Sequence, residues 1–311
     1  MKRNRLPVIA AAAAAAVAVI AASARPVTEM LYPVVLRRAF KASDDKRDAG
    51  LTPPDDIVRI TDRAYGTHPM QVLDVYYPKG TAEALPTIVS VHGGGYVYGD
   101  KDLYQYYCMN LAQRGFTVVN FSYRLAPDTR YPAQIEDVNA AVSWAAAHAE
   151  ELFIDTDRMF FVGDSAGAQL LSQYAAAVTD PSYAEVLRME IPAIHMRAIA
   201  LNCGMYELSE RDTAVRCYLT KKVSEYGEEL RILDHVTENY PPSFVMSAYG
   251  DFLLEMAAPM SELLTERHVE NELHIYGEED RPLGHVFHLN IRSEDARRCN
   301  DEECAFFRRY L

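Results

Sequence analysis

The sequence has no surplus of basic residues. Its 31 Lys and Arg stand against 44 Asp and Glu, a formal net charge of −13. Gripping a phosphate backbone needs concentrated Lys and Arg, so this balance excludes nucleic acid as a partner. It also argues against contact between the body of the protein and anionic lipid. Cysteine is scarce. Cys108, Cys203, Cys217, Cys299 and Cys304 are irregularly spaced and form neither a disulfide framework nor a zinc pattern. They read as small buried hydrophobes. No internal repeat, metal-binding motif or nucleotide-binding motif is present, and no cofactor is expected. Long hydrophobic runs are missing apart from one. Leu6 to Ala22 carries no charge over 17 residues, with Lys2, Arg3 and Arg5 before it and the small-x-small triplet Ala22-Ser23-Ala24 at its end. This pattern is that of a signal peptide or an uncleaved signal anchor. Export or membrane anchoring through residues 1–24 is expected, with the rest of the chain outside the cytoplasm.

What remains is ordinary for a globular chain. Of 311 residues, 49% are hydrophobic and 24% charged, enough to bury a large core without staples. Short apolar runs alternate with helical patterns. Strands are predicted at Ile57–Ala64, Val72–Tyr77, Thr87–Val91, Phe116–Phe121, Met159–Val162, Ile199–Asn202, Phe244–Ala248 and Glu272–Ile275. The first two flank a Gly66-Thr67-His68-Pro69 turn and should pair antiparallel. Helices are predicted at Leu103–Gln113, Ala133–His148, Ala166–Ala177, Leu253–Arg267 and Glu294–Tyr310. Apolar strands separated by helices imply a mostly parallel eight-stranded α/β sheet with helices on both faces.

Two stretches break the rhythm. In residues 25–56, Met30, Leu31, Val34, Val35 and Phe40 point to a short amphipathic helix interrupted near Pro33, followed by a charged linker from Ser43 to Asp56. Residues 205–240 are longer than a crossover needs and read as a helical cap insertion over the carboxyl edge of the sheet, where open α/β sheets bind ligands. The expected organisation is a leader over 1–24, a linker or cap segment over 25–56, and one catalytic domain over 57–311 with its cap at 205–240.

Gly163-Asp164-Ser165-Ala166-Gly167 has the G-x-S-x-G pattern between a predicted strand and a predicted helix, the context of a nucleophile elbow. A turn that sharp needs small residues beside the Ser. Upstream, His92-Gly93-Gly94-Gly95-Tyr96 follows a strand. Glycines there let backbone N–H groups approach a developing oxyanion, and the amide of Ala166 is the other expected donor. A Ser hydroxyl needs a base, and the base needs an orienting carboxylate. In the order Ser, acid, His, the candidates past later strands are Asp251 and His285. The rivals are weaker: His288 should face elsewhere, His274 lies within a strand, Glu255 lies a turn into a helix, and Asp280 sits in an acidic run.

These motifs resemble the hormone-sensitive-lipase group of α/β-hydrolases, including bacterial esterases related to feruloyl and acetyl-xylan esterases. The matching residues are Val91 to Tyr96, Ser122-Tyr123-Arg124-Leu125-Ala126-Pro127, Tyr131-Pro132-Ala133 with Glu136-Asp137-Val138, the Gly163–Gly167 elbow, Gly250-Asp251 and His285. The resemblance implies an α/β-hydrolase fold and oxyanion donors at Gly94, Gly95 and Ala166, with Gly93 making the turn and the Tyr123–Pro127 segment supporting the site from behind. It implies a Ser-His-Asp carboxylesterase acting on a small-molecule ester of small or medium acyl length. An amidase, a lactonase or an exopeptidase would use the same residues, and a non-catalytic binding protein is the alternative from another class. The sequence departs from the group at Phe252, where Pro is frequent, and at Asp128, where Glu is. Among 20 Tyr residues, Tyr96, Tyr98, Tyr104, Tyr106 and Tyr107 cluster after the glycines, and Tyr96 is the expected substrate contact.

Overall fold

A computed structural model describes residues 25–311. The leader reading falls on residues outside that span. Among the described residues, no helix is long and apolar enough to cross a membrane.

Eight strands form one sheet. They are β1 (Ile57–Ala64), β2 (Val72–Pro78), β3 (Leu85–Val91), β4 (Thr117–Phe121), β5 (Ile154–Asp164), β6 (Met196–Asn202), β7 (Ser243–Ala248) and β8 (Asn271–Tyr276), in spatial order β1-β2-β4-β3-β5-β6-β7-β8. β2 runs antiparallel to both β1 and β4, and the other pairings are parallel. All eight predicted strands are present. The central ones, β3 to β7, read as apolar runs rather than alternating ones because helices cover both faces. Val89, Val91, Phe161, Ile199 and Leu201 pack toward one layer, and Ile88, Phe160, Val162, Ala200 and Phe244 toward the other. This is the α/β-hydrolase architecture expected from the sequence.

The helices are α2 (Lys101–Ala112), α3 (Ala133–Ala147), α4 (Ala166–Thr179), the short α5 (Pro181–Val186) and α6 (Thr213–Tyr218), α7 (Leu254–Glu266) and α8 (Glu294–Arg308), preceded by α1 (Arg25–Asp48). Asp100 caps α2 by accepting the Leu103 amide, and Ser293 caps α8 by accepting that of Ala296. Helix α4 is buried from Ala166 to Ala177, and its Ala-rich sequence lets it lie close against the sheet.

The N-terminal segment corrects the sequence reading twice. It is one 24-residue helix that runs through Pro33 and includes Ser43–Asp48, assigned above to a linker. Its buried face is Thr28, Tyr32 and Leu36, while Met30, Leu31, Val34 and Phe40 are exposed. Arg37 fixes it to the main domain by donating to the carbonyls of Val97 (2.7 Å) and Ala126 (3.3 Å). The 205–240 insertion is less helical than expected: α6, then 3₁₀ turns at Val223–Leu230 and Ile232–His235. It packs against α1, with Arg216 3.6 Å from Glu29 and the Cys217 thiol donating to the Glu29 carbonyl. All five cysteines are free and buried.

Behind the glycine loop, Arg124 grips the buried Asp137 with Nε and Nη2, at 2.7 to 3.0 Å, while the Arg124 amide and Gln71 complete that carboxylate's shell. Removing one partner of such a pair strands a buried charge. Arg124→Met should lower unfolding free energy by about 3 kcal/mol in urea titration. A midpoint equal to that of the wild type would show that the pair carries no stability.

Candidate active site

Ser165 stands between β5 and α4 with φ 55° and ψ −117°, a conformation that side chains with a Cβ rarely adopt. Its amide donates to the Asn202 carbonyl at the end of β6 (2.9 Å), and its carbonyl accepts from Met205 (3.2 Å). Two residues on, the chain passes so close to β3 that a Cβ on Gly167 would lie 2.1 Å from the Val91 carbonyl oxygen. The elbow therefore needs glycine at that position.

The glycine loop leaves β3 beside it. The Gly93 amide is already used, donating to the Tyr104 hydroxyl at 2.9 Å. Gly94 has φ 113°, and a Cβ there would meet the Tyr98 carbonyl at 2.0 Å. His92 braces the loop from below. Its ring stacks on Tyr123 at 4.0 Å, its Nδ1–H donates to the Gly93 carbonyl, and Tyr123 donates to the His92 carbonyl. Burial pushes His92 down to about 4, so it is neutral near neutral pH and makes that bond as a donor. Ala166 opens α4, where first-turn amides have no partner within the helix and the helix dipole is positive.

Asp251 follows β7 and His285 follows β8. Nδ1 of His285 lies 2.7 Å from Oδ1 of Asp251. The same carboxylate accepts from the Ser247 hydroxyl (2.8 Å) and the Leu253 amide (2.9 Å). Burial acts to raise the Asp251 carboxyl. The hydrogen bond and charge of His285, the Leu253 amide and the Cys203 thiol outweigh burial and hold it at about 2. Asp251 is thus an anion that fixes the tautomer and direction of the imidazole.

A cavity of about 410 Å³ joins these parts. Ser165, His285, Gly94 and Gly95 line it, with Tyr32, Leu36 and Phe40 of α1 on one side and Met205 and Ala214 of the insertion on another. One end is polar. Tyr98 donates to Asp44 (2.7 Å), and Arg47 pairs with Asp44 (2.8 Å) and Asp48 (2.7 Å).

Tyr96 does not belong to this wall. It is wholly buried, its hydroxyl donates to Gln169 (2.8 Å) and its ring stacks on Tyr218 at 3.8 Å. The expected substrate contact at Tyr96 is corrected: φ of 63° at that residue turns the side chain under the loop, and Tyr98 and Tyr104 face the cavity instead. His288 is also buried, 3.2 Å from Asp164 beneath the elbow. Phe252 was no candidate in the sequence. It is 70% exposed and its ring lies 4.3 Å from that of His285, at the rim of the cavity. Nothing in a sequence marks a ring contact formed across 33 residues.

Among the described residues, the ligand atoms of Cys203, Asp251 and His285 lie within 4.8 Å of one another, close enough for a metal ion. The chemistry does not suit one. Burial pushes the Cys203 thiol well above its ordinary range, so it stays protonated, and the Asp251–His285 bond occupies the other two groups.

The BD-FAE family model matches residues 73–258. Esterase LipC of Mycobacterium tuberculosis is 28% identical over 207 residues, which are 61% of this chain and 50% of LipC. An acetyl esterase of Salmonella paratyphi B is 27% identical over 222 residues, 65% of this chain and 66% of the relative. The chain thus matches between half and two thirds of the length of these curated relatives. Esterase B from Lactobacillus rhamnosis, crystallised with a tributyrin phosphonate inhibitor, aligns with a TM-score of 0.83 at 25% identity, covering 91% of this chain and 95% of that one. A hyperthermophilic esterase from the archeon Pyrobaculum calidifontis, at 23% identity and a TM-score of 0.74, covers 88% of this chain and 90% of its own and shares the fold.

The Asp251 carboxyl is depressed in the folded state from an ordinary value of 3.8. Its stabilising contribution is therefore complete above that value and is lost as pH falls through about 2. That contribution is about 2 kcal/mol. Unfolding free energy, measured in urea from about pH 6 down to about pH 2, should drop by that much more in the wild type than in Asp251→Asn. Parallel curves would contradict an ionised Asp251.

Proposed function

This chain belongs to the BD-FAE family, and on that premise we propose that it hydrolyses carboxylic esters of small or medium acyl length through Ser165. The observation that carries the reading is the shared cavity: a strained Ser, a His held by an anionic Asp, and a glycine loop all face one space. The names of the relatives, esterase and acetyl esterase, point the same way.

In this mechanism the imidazole of His285 takes the proton from the Ser165 hydroxyl as Oγ attacks the ester carbonyl carbon. The carbonyl oxygen becomes an oxyanion and is met by the N–H groups of Gly94, Gly95 and Ala166. These are fixed before the charge develops and need no reorganisation. Asp251 stabilises the imidazolium without taking its proton. As the tetrahedral centre collapses, the C–O bond to the alcohol breaks and His285 protonates the leaving oxygen. Water, deprotonated by His285, then attacks the acyl group on Ser165, and the acid leaves as the Ser proton returns.

Ser165→Ala should lower turnover of p-nitrophenyl acetate roughly 10⁴- to 10⁶-fold with the fold retained, and Asp251→Asn should lower it on the order of 10⁴-fold. Covalent labelling by a fluorophosphonate probe should vanish in the Ser variant. Turnover within tenfold of wild type in either variant sinks the reading.

The acyl group lies against α1, whose Tyr32, Leu36 and Phe40 supply the apolar side of the cavity. Phe40 sits at the rim, 5.9 Å from the Tyr98 ring. Phe40→Ala should raise turnover of p-nitrophenyl octanoate relative to acetate by at least about threefold, since chain-length discrimination follows the fit of methylenes in an apolar pocket. An unchanged ratio would move the acyl site to the side of Met205 and Ala214.

A further inference from the structure

Helix α1 has a second face that the cavity does not use. Val27, Met30, Leu31 and Val34 follow the i, i+3, i+4, i+7 pattern of one helical stripe and are 46%, 66%, 41% and 45% exposed. The same stripe continues one turn later with Arg38 and Lys41, also exposed, Lys41 pairing with the exposed Asp45 at 2.7 Å. Leucine and methionine on the outside are unremarkable singly, but four in register on one helix are an organised patch.

Two facts identify what it meets. Charge is divided unevenly along the chain: residues 1–42 hold seven Lys and Arg and one Glu, a net of +6, so the remaining 269 residues carry −19. A basic arm on an acidic body seeks an anionic surface and keeps the body off it. The uncharged run Leu6–Ala22 also ends only a few residues before the stripe begins. A second copy of the chain fits poorly. The apolar stripe is about 10 Å long at 1.5 Å per residue, far short of the roughly 1,000 Å² of buried surface that a specific protein interface needs. Two acidic bodies would repel one another besides.

We propose that the outer face of α1 lies in the interface of an anionic phospholipid bilayer, its apolar residues among the upper acyl chains and Arg38 and Lys41 at the phosphates. The inner face of the same helix is the apolar wall of the cavity, so an ester dissolved in the bilayer reaches Ser165 past the rim at Phe40. The delivery step rests on the ester-hydrolase reading, whereas the surface contact does not.

The chain has a single tryptophan, Trp144, so Met30→Trp in the full chain adds a reporter on the stripe. With vesicles of phosphatidylcholine holding about 30% phosphatidylglycerol, its emission should shift to the blue, and brominated lipid should quench it at least about twofold. The wild type, with Trp144 alone, should show neither change. Emission that is already blue in buffer and indifferent to vesicles would mean that protein covers the stripe, either residues 6–22 or a second copy, and would overturn the proposal.

Met30→Asp/Leu31→Asp tests delivery. It should lower the initial rate on an ester dissolved in those vesicles about tenfold while leaving p-nitrophenyl acetate in buffer within about twofold. Equal losses on both substrates, or none on either, would refute delivery. A wild type inactive on acetate would refute the hydrolase reading, and the fluorescence result would still decide the surface.

Discussion

The strained turn at Ser165 governs the arrangement of everything around it. A non-glycine residue at φ 55° costs on the order of 1 to 3 kcal/mol and persists only where its neighbours over-determine it. Here they do. Asn202 on one adjacent strand takes the Ser165 amide, Met205 gives its own amide to the Ser165 carbonyl, and Gly167 lies against the carbonyls of Val91 and His92 on the other. The three central strands β3, β5 and β6 thus end at one point. Because the glycine loop leaves β3 at that same point, Gly93 to Gly95 and Ser165 line one cavity as a consequence of strand order rather than of any long-range coincidence.

Beneath the turn, the protein commits buried polar groups. Asp164, immediately before Ser165, faces His288, and Glu303 of α8 accepts from Tyr107 (2.9 Å) and Asn202 (2.8 Å). All are buried. Such a network costs desolvation and returns it only when its members are partnered. Burial raises the Glu303 carboxyl above its usual range, against the opposing pull of His288 and of the Asn202 and Tyr107 hydrogen bonds. Asn202 links the two systems: its side chain is held by Glu303 while its carbonyl holds the Ser165 amide. The C-terminal helix therefore bears on the geometry of the turn although it contributes nothing to the cavity.

How much of this the sequence disclosed follows from the range of each interaction. The eight strands were legible because apolar runs bounded by turns are local signals, and the elbow and glycine loop because close backbone approach demands particular residues at particular offsets. The candidates Ser165, Asp251 and His285 were legible as a chain order, and the structure brings Asp251 to His285. Tyr96 was misread because adjacency to the glycines says nothing about which way a residue at positive φ points. The face of α1 was misread for a related reason. Its most apolar residues, Met30, Leu31 and Val34, look like the buried stripe, yet the tertiary contacts select Tyr32, Leu36 and Arg37. The tilted contact of the Phe252 ring with His285 has no local signature at all.

The two halves of the site are held by different sets of contacts. Ser165 and the glycine loop stand at the ends of central strands packed on both faces, where local opening requires most of the global unfolding free energy, whereas His285 follows the edge strand β8. The side walls of the cavity come from α1 and from the insertion at Met205, Asp212 and Ala214. They brace each other through Arg216 and Glu29 and are tied to the domain by Arg37 and Arg130, which donate to backbone carbonyls, and by the stacking of Tyr218 on Tyr96. Tyr32 and Leu36 of α1 and Val215, Cys217 and Tyr218 of α6 are buried in the same apolar cluster as Val89, Val91 and Phe161 of the sheet, so these walls are packed onto the domain as well as hydrogen-bonded to it. A substitution at Ala214 can reshape the cavity without touching the turn, whereas one near Gly167 or Asn202 cannot change the turn without loosening three strands at once. The elbow and the cavity walls are thus held by largely different contacts and meet at Met205, whose amide donates to the Ser165 carbonyl.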